Sequence, residues 1–213
     1  ISMEELRRRD VEKYPRAGQE AYLFEGCQFM APGEKLVVSR QDRYIEVLPH
    51  KHDYIELCYV WSGTCQQTIE GRKVETRQGD MCIFDTQAVH SIDAGGENDI
   101  VVNILMRKEF FDGAFLSRMP GQGIVSEFLA DSVTKSRKKR HYLLFHSRKN
   151  PRVHDIMEHI MMEYYTEDIG MREVLESYVI ILFTELLRTW RDETREQAAV
   201  SQEVQILELL SYI

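Results

Sequence analysis

The sequence has 213 residues, with 27 Lys plus Arg against 35 Asp plus Glu and a formal net charge of −8. Its 43% hydrophobic and 29% charged residues exclude a disordered chain or a fibre, and its length allows one medium domain, or one domain with a helical appendage. The acidic total argues against this stretch itself holding DNA phosphates, and no apolar run approaches the ~18 residues of a membrane span.

Residues 1–20 are polar and read as an arm. They include Met3-Glu4-Glu5-Leu6-Arg7-Arg8-Arg9-Asp10, which has no apolar signal-peptide core, so the cytoplasm is the expected compartment. From 21 to 107 the apolar period is near two and turn signals recur, which predicts strands. Ala21–Met30 is a first apolar run, closed by Ala31-Pro32-Gly33; Lys35–Ser39 and Arg43–Pro49 follow. Tyr54–Trp61 is a strong strand ending at Ser62-Gly63. Thr64–Ile69 and Arg72–Arg77 form a hairpin through Glu70-Gly71, with Gly supplying the positive φ. Gln78-Gly79-Asp80 turns into Met81–Phe84, and Val89–Asp93 pairs with Ile100–Met106 across Ala94-Gly95-Gly96. Many short strands at this spacing predict a mainly β unit, a sandwich or jelly-roll barrel, over residues 21–150.

Beyond Arg107 the period changes. Lys108–Met119 reads as a short helix stopped by Pro120-Gly121, and Tyr142–Phe145 as a returning strand. Pro151 opens a helix whose Val153, Ile156, Met157, Ile160, Met161 and Tyr164 recur at 3,4 spacing until Asp168-Ile169-Gly170. A second helix carries Leu175, Tyr178, Val179, Leu182 and Leu186, and its middle, Val179–Phe183, is apolar almost all round. Such a helix must be covered on more than one side. The first helix is one cover; the other is the chain's own barrel or a second copy. In the second case those five residues form the dimerisation face of a helical hairpin over 151–192. The polar stretch 193–202 reads as a linker, and 203–213 starts a new amphipathic helix. That helix is either the first of a truncated domain or a terminal helix docked on the barrel.

Cys27, Cys58, Cys65 and Cys82 form no C-x-x-C pair, and the expectation is buried reduced thiols. Ser132–Arg152 holds Lys135, Arg137, Lys138, Lys139, Arg140, Arg148, Lys149 and Arg152 with no acidic residue. It reads either as a polyanion contact or acidic-partner patch, or as a solvated loop.

One constellation carries chemistry. His50-Lys51-His52-Asp53-Tyr54-Ile55-Glu56 spells H-x-H-x-x-x-E. In a strand the even positions share a face, so His50, His52 and Glu56 converge, with Ile55, Leu57, Tyr59 and Trp61 opposite. The loop at Asp53 is where that parity can break. Two imidazoles and a carboxylate on one face suit iron, manganese, nickel or zinc, and His90 is a fourth ligand.

These residues resemble the cupin superfamily. Its first motif, G-x5-H-x-H-x3-E-x6-G, is matched by His50, His52, Glu56 and Gly63, with Tyr44 at the opening Gly. Its second, G-x5-P-x-G-x2-H-x3-N, is matched by Gly79 and His90, with Asp85, Gln87 and Ala94 at the Pro, second Gly and Asn. The stretch from Pro49 to Gly63, then Gly79–Phe84 and Val89-His90, looks like the sensor domain of AraC-type transcriptional regulators. So does the order of barrel, two helices, polar linker and further helix, over about residues 21–213.

The resemblance implies a cupin-like jelly-roll barrel followed by a pair of long helices. It implies a regulator and not an enzyme: a homodimer that binds a small-molecule effector such as a carbohydrate, with DNA held by a helix-turn-helix domain missing from this chain. The effector would meet His50, His52, Glu56 and His90, with Tyr44 and Phe84 added by strand parity. Tyr59 and Trp61 would stack on a sugar only if the register slipped by one; otherwise they are core. No cofactor is required. The same four residues can instead hold Zn, Ni, Mn or Fe, and the competing class is a metal-dependent cupin enzyme, a dioxygenase or a sugar isomerase.

Overall fold

The computed structural model describes residues 21–119, 123–134 and 140–210. The strands are β1 (Tyr22–Phe24), β2 (Leu36–Arg40), β3 (Val47–His52), β4 (Ile55–Ser62), β5 (Thr64–Ile69), β6 (Arg72–Arg77), β7 (Met81–Phe84), β8 (His90–Ile92), β9 (Ile100–Met106) and β10 (Tyr142–Phe145). The helices are α1 (Gly113–Arg118), α2 (Ile124–Thr134), α3 (Pro151–Thr166) and α4 (Met171–Leu210).

The strands form two five-stranded sheets, ordered β1-β3-β8-β5-β6 and β10-β7-β4-β9-β2. All pairs are antiparallel except β1 with β3. The sheets lie face to face as a jelly-roll sandwich, and the helices cover the outer face of the second sheet. The expected mainly β fold with a C-terminal helical pair is therefore present.

Strand β4 shows why. Its run Ile-Glu-Leu-Cys-Tyr-Val is buried throughout. Cys58 and Val60 point between the sheets, with Ile69, Phe84 and Ile92. Ile55, Leu57 and Tyr59 point the other way, into a larger cluster with Phe115, Leu129, Met157, Leu182 and Phe183. A strand packed on both faces reads as a near-continuous apolar run. Each fully buried Leu or Phe side chain contributes about 1.5–3 kcal/mol, so the layer between sheet and helices is the main store of stability.

The turns follow local chemistry. Glu70 (φ 48°) and Gly71 (φ 78°) both lie in the left-handed region, as a two-residue hairpin turn with the twist of its strands requires. Asn150 caps α3 by accepting the Arg152 N–H, and Pro151 sits in its first turn. Glu167, with φ 52°, closes α3, and its N–H donates to Glu163 O.

Several expectations are corrected. Lys108–Met119 is a 3-10 turn (Lys108–Phe110) followed by α1, whose cap Asp112 accepts the Phe115 N–H. Helix α2 was not expected. Cys27 is exposed; Cys58, Cys65 and Cys82 are buried. The stretch 193–202 is not a coil, because α4 runs through it without a break to Leu210. It holds no Gly or Pro, and its Glu, Arg, Gln and Ala favour helix. The arm at 1–20, the Pro120-Gly121 stop, the basic residues at 135–139 and the end at 211–213 lie outside the described residues. No helix among the described residues is long and apolar enough to cross a membrane.

Candidate functional site

The structure brings His50, His52, Glu56 and His90 together, with their ligating atoms all within 4.8 Å of one another. They do not share one strand face. His50 and His52 lie on β3 in the first sheet; the chain bends at Asp53-Tyr54 and restarts as β4 in the second, which carries Glu56. His90 lies on β8, directly opposite His50 in the β3–β8 pair. The cluster therefore bridges the two sheets at one end of the sandwich.

Its hydrogen bonds assign the tautomers. His50 Nδ1 is 2.9 Å from Leu48 O, and His52 Nδ1 is 3.3 Å from Tyr54 O. A carbonyl only accepts, so both Nδ1 atoms carry protons, and in the neutral rings both Nε2 lone pairs face inward. His52 Nε2 lies 3.0 Å from His90 Nε2 and 2.8 Å from Glu56 Oε2, with His90 Nε2 3.5 Å from the same oxygen. Glu56 Oε2 and His90 Nδ1 have no hydrogen-bond partner of good geometry among the described residues. Ligands about 2.1 Å from one ion lie roughly 3–4.2 Å apart, so the 2.8–3.5 Å separations among His52, His90 and Glu56 suit a divalent transition metal, with His50 close by.

Electrostatics favour the ligating form of His50, His90 and Glu56. Burial pulls His90 well below the ordinary imidazole range, and His50 below it, partly against the attraction of Glu56. Burial alone would push Glu56 up, but any proton carried by His52, His90 or His50 beside it outweighs burial and holds the carboxyl low. Neutral imidazoles beside a carboxylate are what metal binding requires.

The surroundings are aromatic. Phe24 stacks on His50 at 4.4 Å, Tyr54 on His52 at 4.7 Å, and Phe84 lies 4.0 Å from the His90 ring. The four polar residues are closed off from water, at 3%, 0%, 5% and 1% exposed in chain order. Phe24 and Tyr54 were missed in the sequence: Tyr54 falls in the bend, where parity gives no guide, and Phe24 arrives by the parallel β1–β3 pairing.

The other expected residues divide. Phe84 is fully buried and its ring packs against the His90 and His52 rings. Tyr44 does not join the cluster: it is 63% exposed, at a left-handed position with φ 66°. Tyr59 and Trp61 pack under the helices, with Tyr59 Oη 3.0 Å from His154 Nδ1 and Trp61 stacked on the His154 ring at 4.2 Å. Leu175, Val179, Leu182 and Leu186 are buried in the chain's own core, so they are not at its surface; Tyr178 is partly buried, 5.4 Å from the His159 ring. Among the described side chains, the large apolar ones exposed on the helical pair and the turn between its helices are Met162, Tyr165, Ile169 and Ile181.

The substitutions in the two sequence motifs also gain a reason. Gly63 (φ 72°) and Gly79 (φ 88°) are left-handed, and so is Tyr44 where the first motif opens with Gly. Asp85, at the Pro of the second motif, makes its turn by hydrogen bonding: Oδ1 accepts the N–H groups of Gln87 (2.7 Å) and Ala88 (3.0 Å).

The family of AraC-like ligand binding domains matches residues 37–183. No curated protein sequence matches. Among solved structures, an apo variant of ToxT from Vibrio cholerae is 11% identical at a TM-score of 0.50, covering 74% of this chain and 55% of that chain. ToxT bound to an unsaturated fatty acid is 12% identical at a TM-score of 0.44, covering 70% of this chain and 51% of that one. KdgF from a Halomonas species is 22% identical at a TM-score of 0.32, covering 36% and 72%. The chain thus spans about half the length of the ToxT chains it matches, and at these identities the likeness concerns the fold.

Proposed function

Because this chain belongs to the family of AraC-like ligand-binding domains, we propose that it is the effector-binding and dimerisation part of an AraC-type transcriptional regulator, sensing a small molecule such as a sugar. The observation that carries this reading is the matched span itself, which runs from β2 into α4 and so takes in the sandwich and the helical pair together. The effector would sit among His50, His52, Glu56 and His90, against Phe84. These groups are closed off, so binding requires the sandwich to open at that end, and an effector favouring the open form shifts the population toward it. DNA is bound in this reading by a separate unit, not by the acidic sandwich, and two copies associate through the helical pair. The domain itself turns over no substrate.

The test uses the protein made from its complete gene. Sugars, with fatty acids as a contrasting class, are screened for a rise in melting temperature and a change in DNA affinity. An effector should produce both, and His90→Ala should lose both. If no small molecule alters either quantity, the reading is wrong.

The convergent lone pairs favour a second reading, a metal-dependent cupin enzyme of the dioxygenase or sugar isomerase type. His50, His52, Glu56 and His90 would hold Zn, Ni, Mn or Fe, which supplies Lewis acidity or a more acidic bound water. Metal that co-purifies at one equivalent, together with turnover abolished in Glu56→Ala, selects this reading. Metal without turnover leaves the regulator reading in place.

A further inference from the structure

A hollow of about 770 Å³ opens where the segment after β10, the start of α3 and the outer part of α4 meet. None of the His50 cluster lines it. Arg148, Lys149 and Arg152 approach it from one side, and Arg188 and Arg191 from α4. Five cations face one space in a chain whose net charge is −8.

The carboxylates at this hollow are already engaged. Glu185 is 5% exposed; its Oε1 accepts from Arg188 Nη1 and its Oε2 from Asn150 Nδ2 at 3.2 Å. Asp192 accepts from Arg191 Nε at 3.0 Å, and Glu193 accepts the His146 N–H at 2.9 Å. Arg152 and Arg148 are held more loosely. Arg152 Nη1 is 3.5 Å from Glu185 Oε1, and Arg148 Nε is 3.4 Å from the buried Asp80 Oδ1, which has no hydrogen-bond partner among the described residues. The four guanidinium side chains are about half exposed or more, at 46%, 68%, 50% and 56% in chain order. Only the Arg191–Asp192 pair is exposed on both sides; Arg148, Arg152 and Arg188 reach buried carboxylates from guanidinium groups that stay open to solvent. Each guanidinium presents five N–H donors, few of them engaged by the described residues, in a fork that matches phosphoryl oxygens bidentately. The volume lies in the range of small-molecule sites.

We infer that this hollow binds a small phosphorylated anion, clamped between Arg148 and Arg152 on one wall and Arg188 and Arg191 on the other. The ligand ties α4 to the sandwich beside the stretch where that helix runs on toward Leu210. It accounts for Arg148, Lys149 and Arg152 of the basic run, while Arg140 lies over the Trp190 ring, and it is independent of whatever binds at the histidines.

Pyrophosphate is the probe, titrated calorimetrically into the full chain at constant ionic strength, with sulfate and chloride as controls. Pyrophosphate should bind at least tenfold more tightly than sulfate. Arg152→Gln with Arg191→Gln should weaken it at least tenfold while leaving the melting temperature of the free protein unchanged; neither residue is the sole partner of a buried carboxylate. Arg148→Gln is a second, separate variant with the same expected direction. His90→Ala should bind pyrophosphate as the parent does, which separates this site from the effector reading. Equal binding of pyrophosphate and sulfate, or undiminished binding by both arginine variants, overturns the proposal. A random-sequence DNA duplex is the last arm. If it displaces pyrophosphate at a lower phosphate concentration through the same arginines, the phosphate source is nucleic acid and the small-ligand assignment falls.

Discussion

Gly79→Ala tests how the sandwich is joined to its helices. The residue sits in the turn between β6 and β7 with φ 88°, and a Cβ there would lie 2.8 Å from the Arg148 Cα and 3.0 Å from its Cβ. Both are main-chain or near-main-chain atoms, so the strain cannot be relieved by turning a side chain. Ser147 Oγ donates to Gly79 O at 2.6 Å, which holds the two segments together just before α3. The left-handed conformation costs a non-glycine residue about 1–2 kcal/mol, and forced overpacking adds about 1–3 kcal/mol. The sum, about 2–5 kcal/mol, corresponds to a loss of roughly 5–15 °C in melting temperature for a chain of this size. Gly71→Ala is the matched control, because φ is 78° but nothing lies within 4 Å of the added carbon. It should lose only the conformational part, roughly 2–6 °C. Calorimetry of the two variants side by side reads the difference. Equal losses would show that Gly79 is needed for its φ alone and that the contact with Arg148 is not a tight joint.

Stability should also fall with acid. Burial holds His50 and His90 below the ordinary value of 6.5, so above that pH both are neutral whether folded or not, and their contribution is fully present. As pH falls through about 6.5 the unfolded chain takes protons that the fold refuses, giving a slope of up to about 2.7 kcal/mol per pH unit for two sites. Urea denaturation with chelator present, between about pH 7 and about pH 5, should show it, and His50→Gln with His90→Gln should flatten it; a flat parent profile refutes the burial argument. Tyr44→Gly should stabilise by up to about 1 kcal/mol, since the position is left-handed and its side chain is 63% exposed; a loss of stability would mean that the ring packs after all. Leu182→Ala should cost about 2–5 kcal/mol without changing the oligomeric state in sedimentation, because the side chain is wholly within its own chain. Dissociation of a dimer at unchanged stability would contradict that.

The hairpin from Thr64 to Arg77 was legible because alternation and a Glu-Gly turn agree with each other. The outward face of β4 was legible for the same reason. The cluster residues were identified by spacing, yet the parity offered for their convergence was not the cause: His52 and Glu56 meet because the chain folds over at Asp53-Tyr54 into the other sheet. Tyr44 could not be placed by parity, since a left-handed residue ends the alternation it was read from. The apolar girth of α4 correctly demanded two covers, but periodicity cannot tell a neighbouring layer from a second molecule; here the chain supplies the layer itself. Helix α2 escaped because its Ile124, Val125, Phe128 and Leu129 sit between the Pro120-Gly121 stop and the basic run, both of which read as loop. The hollow of arginines could not be read at all, because Arg188 and Arg191 join Arg148 and Arg152 only through tertiary packing.

Glu56 belongs to the sheet that carries the helices, and the three imidazoles belong to the other. At that end the sheets are tied by the Asp53-Tyr54 bend and face each other through one carboxylate and three rings. An ion that draws them in, a guest that wedges them apart, or a proton that changes their mutual attraction each sets a different gap. Ile55, Leu57 and Tyr59 on the back of the same strand are seated in the helical layer, so the strand that offers Glu56 to the three rings is also the bed on which the long helix α4 rests.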